Sequence, residues 1–208
     1  MLRGKLLVAF AVAVLAGGCQ EGGSDTVETT VDSNGGATVA EPTAASSNLT
    51  MVDRRQPPAL NIAPDGISLI DVNSGSARQI TFGRPRDEAV DAARAALGAP
   101  EGEAEMAECG AGPMTMVEFE GGLTFNIMDG NFVGWSLDGV QQGSITTTSG
   151  IGLGSTRAQL ENAYAVEMVE ESTLGHEFTA GAMSGLLTSP EPDGKITDLW
   201  AGTSCVFR

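Results

Sequence analysis

Hydrophobic residues fall along this 208-residue chain in three regimes. An unbroken apolar run, "LLVAFAVAVLA", occupies residues 6–16, whereas residues 20–56 carry no aromatic side chain and no sustained apolar period. From Pro57 onward short apolar runs alternate at the strand period of two, broken by stretches at the helical period. "DGISLIDV" and "ARQITF" predict two strands separated by the turn-rich "NSGS". "RPRDEAVDAARAALG" predicts an amphipathic helix. Pro85 suits its first position, Asp87 and Glu88 favour the positive end of the dipole, and Gly98 closes it. Ala89, Val90, Ala93, Ala96 and Leu97 share one face.

"PMTMVEF", "GLTFNIM" and "NFVGWSL" follow as β-rich runs, the last two joined by Asp129-Gly130, a two-residue hairpin signal. A regular register from that turn pairs Ile127 with Phe132 and Phe125 with Gly134 on a core side. Asn126 with Val133 and Thr124 with Trp135 then lie on the other. Trp135 and Val133 are therefore a candidate partner surface if nothing covers that face, since aromatic residues anchor interfaces. Packing of Trp135 against the rest of the chain is the alternative.

Laying "FGRPRDEAVDAARAAL" under "LGSTRAQLENAYAVEM" matches Gly83 with Gly154 and Arg86 with Arg157. Further on, "DGNFVGW" (129–135) resembles "DGKITDLW" (193–200), with one extra residue before the tryptophan. The internal likeness predicts an α+β fold of two tandem units, each an amphipathic helix packed on antiparallel strands, forming one compact domain. The first unit would span 57–140 and the second 141–208. In that frame the Gly-rich "SGIGLGST" is a strand-to-helix turn, and Thr156 with Gln159 forms a capping box that uses the amides a phosphate would need. The dinucleotide and P-loop patterns both fail: Arg157 stands where a third glycine is required, and no Gly-Lys-Ser/Thr occurs.

The N-terminal regimes change the picture from a bare domain to an exported one. "MLRGK" supplies a basic start, and eleven apolar residues rise only about 16 Å as a helix, too short to span a bilayer. Residues 1–18 read as a signal peptide. "LAGGC" ending at Cys19 resembles the bacterial lipobox, whose cysteine is lipidated and becomes the mature N-terminus. Gln20 after it implies, by the same resemblance, sorting to an outer membrane, facing the periplasm, in a cell with two membranes. Residues 19–56 then form a lipidated, acidic tether too poor in apolar residues to fold.

Charge narrows the partners. The chain carries −16, and loss of Arg3 and Lys5 with the signal makes that about −18. Such a surface repels nucleic acid and anionic headgroups, so membrane attachment falls to the lipid.

Taken as a set, "DGISLIDVNSGSARQITFG", Cys109 in "ECGAGP", "GIGLGST" and Cys205 in "AGTSC" resemble two-unit bacterial lipoproteins of unknown function with a β-lactamase-inhibitor-protein-like fold. Small outer-membrane assembly lipoproteins share the single-unit version. The likeness covers about residues 60–208 and departs at Pro85, where the second unit has a hydroxyl cap. It implies binding more than chemistry, and a Cys109–Cys205 disulfide. The cysteine count is compatible with that bridge: once lipid takes Cys19, one even pair remains in a compartment that permits disulfides. Closing so long a loop stabilises a fold by about 2–4 kcal/mol.

Candidate chemistry adds little. His176 is the sole histidine, Ser184 lies outside any nucleophile elbow, and one imidazole with two thiols leaves zinc or copper short of ligands. Asp71 and Asn73 begin like a calcium loop, but Gly75, Ser76 and Phe82 stand at its fifth, sixth and twelfth positions, so a hairpin turn is expected. "EGEAEMAEC" reads as a solvated acidic run. Glu118 with Glu120, or Glu170 with Glu171, lack the aromatic platforms of a glycosidase cleft. The expectation is a non-enzymatic, lipid-anchored envelope protein presenting a protein-binding domain, without cofactor, metal, nucleotide or nucleic acid. A proteinaceous inhibitor of an envelope or extracellular enzyme is the alternative, and a small hydrolase the third reading.

Overall fold

The computed structural model describes residues 56–139 and 145–205. The expected signal peptide, Cys19 and the expected tether up to residue 55 lie outside the described residues, as do residues 140–144 and 206–208. Three strands come first: β1 (Ala59–Ala63), β2 (Gly66–Ile70) and β3 (Ala77–Thr81), an antiparallel meander. β2 and β3 are the two strands expected from "DGISLIDV" and "ARQITF". Between them Asp71 Oδ1 accepts from the amides of Asn73 and Ser74 at 2.9 Å each, a local carboxylate turn.

Helix α1 (Arg86–Leu97) follows and packs on β1 and on two strands of the second sheet. It buries Ala89, Val90, Ala92 and Ala93, small side chains that let the helix lie close. Pro85 stands at the N-cap rather than one step inside, and Gly98 closes the helix with its amide on Arg94 O. The remaining strands are β4 (Gly102–Met106), β5 (Met114–Phe119), β6 (Leu123–Met128), β7 (Asn131–Leu137), β8 (Val166–Met168), β9 (His176–Ala180), β10 (Met183–Leu187) and β11 (Ile196–Gly202). They form one sheet in the order β4-β5-β6-β7-β11-β10-β9-β8. The seven-residue helix α2 (Arg157–Ala163) precedes β8 and buries only Leu160.

The expected α+β fold of two tandem helix-on-strand units is therefore corrected. The described residues are about 44% strand and 13% helix, a mostly β protein built from two antiparallel sheets. β7 and β11 hydrogen-bond from Gly134–Gly202 to Leu137–Leu199, so the strands of both halves make one continuous sheet. The three-stranded meander has no counterpart in the second half, and the two helices differ in length and in what they bury. The internal likeness reports something more local. Gly83 and Gly154 both take positive φ and donate to Phe132 O and Ile196 O at 2.7 and 2.8 Å. Arg86 and Arg157 likewise donate their amides to Gly130 O and Gly194 O. Two strand-to-helix turns are thus clasped by two Asp-Gly segments, a shared joint on unequal surroundings.

The capping box at α2 is formed as expected: Gln159 N donates to Thr156 Oγ1, and Thr156 N to Gln159 Oε1. Amides around it are committed too. Gly152 N reaches Ser155 Oγ, Gly154 N Ile196 O, and Ala158 N Pro192 O. A phosphate would find these donors already used.

One core fills the space between the sheets and under α1. Its centre is aromatic: Phe125 lies 4.6 Å from Phe132 and 5.2 Å from Phe119, ring centre to ring centre. Within the acidic run, "GEAEM" is β4, an edge strand whose exposed carboxylates oppose pairing with another chain. Its Glu103 is held by Arg86 at 2.6 Å.

Candidate functional site: the open face of the eight-stranded sheet

Alternation along each strand gives the large sheet two unlike faces. One carries Val117, Phe125, Trp135, Leu199 and Met183 into the core. The other carries Met116, Asn126, Ser136, Trp200, Asp198 and Leu186 across β5, β6, β7, β11 and β10. Among the described residues no helix covers these six. They floor a hollow of about 390 Å³ over the β7–β11 seam.

Two segments wall it. Leu174 comes from the loop before β9, which is pinned where Ser172 Oγ donates to the buried Glu177 carboxylate at 2.6 Å. Ser204 and Cys205, just beyond β11, form the other wall. Asp138 closes one end. Gly122 makes that position possible: its φ is +80°, and a Cβ there would lie 1.8 Å from Asp138 O.

The polar groups of the hollow are acceptors in excess. Asn126 is almost fully buried; its Nδ2 donates to Thr203 O at 3.0 Å, while its Oδ1 has no partner among the described residues. An unmet buried acceptor costs about 1–3 kcal/mol, so it asks for an explanation. Asp198 accepts from Thr197 Oγ1 at 2.6 Å, and Asp138 has no side-chain hydrogen bond among the described residues. Among the described residues none that lines the hollow is basic, and no ion pair involves Asp138, Asp198 or Glu118. Burial holds the Asp138 carboxyl above the usual carboxylate range, and the neighbouring charges of Asp198 and Glu118 push it further the same way.

No protein-family model matches the chain, and neither a curated protein nor a solved structure does. What the protein does must be argued from its own residues.

The residues singled out from sequence fare differently. Trp135 is corrected: it is fully buried, with its indole N–H on Ala63 O at 2.8 Å, and offers nothing to a partner. Val133 is half-buried. The reason is a bulge in β7. Asp129-Gly130 makes the expected tight turn, with φ of 50° and 74°, and sets Ile127 opposite Phe132. Asn126 then faces Gly134, leaving Val133 without a paired residue on β6 and turning Trp135 to face Phe125. Gly134 is needed there because a Cβ would come within 2.1 Å of Thr203 O.

Cys109 and Cys205 do meet, as free thiols. Cys109 is buried and Cys205 half-buried. Burial pushes the Cys205 thiol up to about 11, and its hydrogen bond to the Cys109 thiol adds to the shift. His176 is exposed at the start of β9, opposite Leu187. Ser184 pairs with Thr179, three residues along, so the serine and the histidine sit on opposite faces. Asp138 and Asp198 carry no signal in the sequence reading, and Asn126 and Trp200 enter it only as positions on a strand and in a repeat, not as site residues. The available signal was a second tryptophan, in "DGKITDLW", displaced by one step from the first.

Proposed function

We propose that the chain is a lipid-anchored envelope protein that works by binding a protein, with the uncovered face of the large sheet as its binding surface. What supports this is the acid-ended hollow around the unpaired Asn126 oxygen, on a face that no helix covers. Lipidation at Cys19, export and a periplasm-facing outer-membrane location belong to the same reading, on the strength of "LAGGCQ" and the resemblance to bacterial lipoproteins. So does oxidation of the adjacent Cys109 and Cys205 thiols to a disulfide after export. Inhibition of an envelope or extracellular enzyme is the alternative use of the same face.

Two measurements test it. Cys19→Ala is expected to move the protein from the membrane fraction to the soluble one, and retention in the membrane would refute the anchor. Photocrosslinking from position 186, on the open face, is expected to capture a discrete protein from intact cells; capture from an exposed α1 position such as 91 and none from 186 would place the surface elsewhere.

A further inference from the structure

The hollow at the β7–β11 seam has a composition that selects among ligands. Its walls and floor are largely apolar, through Met116, Leu174, Leu186 and the ring of Trp200. Its charged groups are the carboxylates of Asp138 and Asp198; the hydroxyls of Ser136 and Ser204, the Cys205 thiol and the amide of Asn126 complete its polar lining, and the Asn126 oxygen has no donor among the described residues. An anion would meet two carboxylates and no compensating base among the described residues. A neutral apolar molecule would leave the buried Asn126 oxygen unanswered and would cover the half-buried Asp198 and the exposed Asp138 without giving either a partner. A bare metal ion is poorly served as well, since no three His, Cys, Asp or Glu side chains converge among the described residues. A single cationic group on an apolar stem answers each feature. Its N–H donors meet acceptors, its charge relieves the crowding of Asp138 by Asp198 and Glu118, and its stem covers the leucines and the indole.

We infer that this hollow is a binding site for a protonated amine or guanidinium carried on an aliphatic or aromatic stem. The inference rests on the reading of the open face as the binding surface, and it names the chemistry that face recognises. Lysine and arginine side chains of a partner protein and free organic amines share this chemistry.

The test uses n-hexylamine as probe, titrated into the purified full chain and followed by nitrogen–proton correlation spectra. Saturable shifts are expected at Asn126, Asp138, Asp198 and Trp200, whereas n-hexanol and hexanoate leave these signals in place. Asp138→Asn and Asp198→Asn are each expected to weaken the amine about tenfold, the cost of losing one charge-assisted partner. A second arm uses N-acetyl-lysine amide and N-acetyl-arginine amide. Saturation by these as well as by hexylamine supports the site and assigns it to a side chain on a protein. Saturation by hexylamine alone supports the site and assigns it to a free amine, which would count against protein binding by this face. Equal responses to amine, alcohol and carboxylate, or no shift at the four residues, would overturn the inference. Because the probes are small molecules, a failed crosslink in cells and a failed titration are separate results.

Discussion

β7 and β11 lie side by side in the sheet, each follows an Asp-Gly pair, and each carries a tryptophan, yet the two indoles end on opposite faces. Counting from the Asp-Gly pair explains it. Phe132 and Ile196, two residues beyond the glycine, both face the core. A bulge follows in each strand and leaves Val133 without a paired residue on β6 and Thr197 without one on β10. Trp135 then takes the inward position that Leu199 takes in β11, and Trp200 pairs across the seam with Ser136 on the open face. The additional residue before Trp200 is therefore no insertion in the strand. It is one step of the pleat, which sends one ring to the core and the other to the hollow. Two segments that look alike as text differ in what they build because parity, rather than similarity, decides the face.

The largest way to break this comparison is truncation of the two rings. Trp135→Ala removes a fully buried indole and leaves Ala63 O without its donor, so a loss of about 3–5 kcal/mol in urea unfolding is expected. Trp200→Ala should lose clearly less, since its ring borders a hollow instead of close-packed core, and should abolish saturable hexylamine shifts at Asn126 and Asp198. Equal losses of stability would mean that the two faces are not functionally distinct.

A smaller change tests the bulge. In Gly134→Ala the new methyl would lie 2.1 Å from Thr203 O, on a segment whose amide bonds Val133 O at 2.8 Å. A loss of about 1–3 kcal/mol is expected, within the usual range for strain at a close backbone approach. Thr203 O also accepts from Asn126 Nδ2, so the same variant should shift the Asn126 side-chain amide signals. An unchanged Asn126 would show that the bulge does not set the floor of the hollow.

How far sequence reaches into this molecule follows from the same parity. Elements announced by local chemistry were legible: the Asp71 turn, the Asp129-Gly130 hairpin, α1 with Gly98 at its end, and the Thr156–Gln159 cap. β4 was missed because its alternation is of glutamates with Gly, Ala and Met, an edge pattern that reads as solvated loop. The overall architecture was misjudged because a local joint, Gly83 and Gly154 against two Asp-Gly segments, repeats without the rest of the unit repeating. Nothing local marks the pairing of β7 with β11, whose partners are more than sixty residues apart in the chain. The site suffered most. A bulge imposed by contact between Gly134 and Thr203 is a tertiary fact, and it moves every later residue of β7 to the other face. Asp138 and Asp198 become neighbours only across that seam.

The smallest expected effect separates a group placed for a ligand from one placed for the fold. Asp138 has a carboxyl raised above the ordinary value of 3.8, first by burial and then by Asp198 and Glu118. Between that ordinary value and the raised one the native state binds more protons than the unfolded state. The contribution of this carboxyl is therefore most favourable below pH 3.8 and is lost as pH rises through its folded pKa. Asp138→Asn is uncharged throughout, so at neutral pH it should be more stable than the wild type, by about 0.5 kcal/mol or less because solvent screens a carboxyl at a rim. The gain should shrink as the wild-type carboxyl takes up its proton. The same substitution should weaken hexylamine binding. Stability and affinity moving in opposite directions is what a residue kept for its charge would give, at some cost to the fold. If both fall together, Asp138 is holding the end of β7 in place, and its charge is incidental.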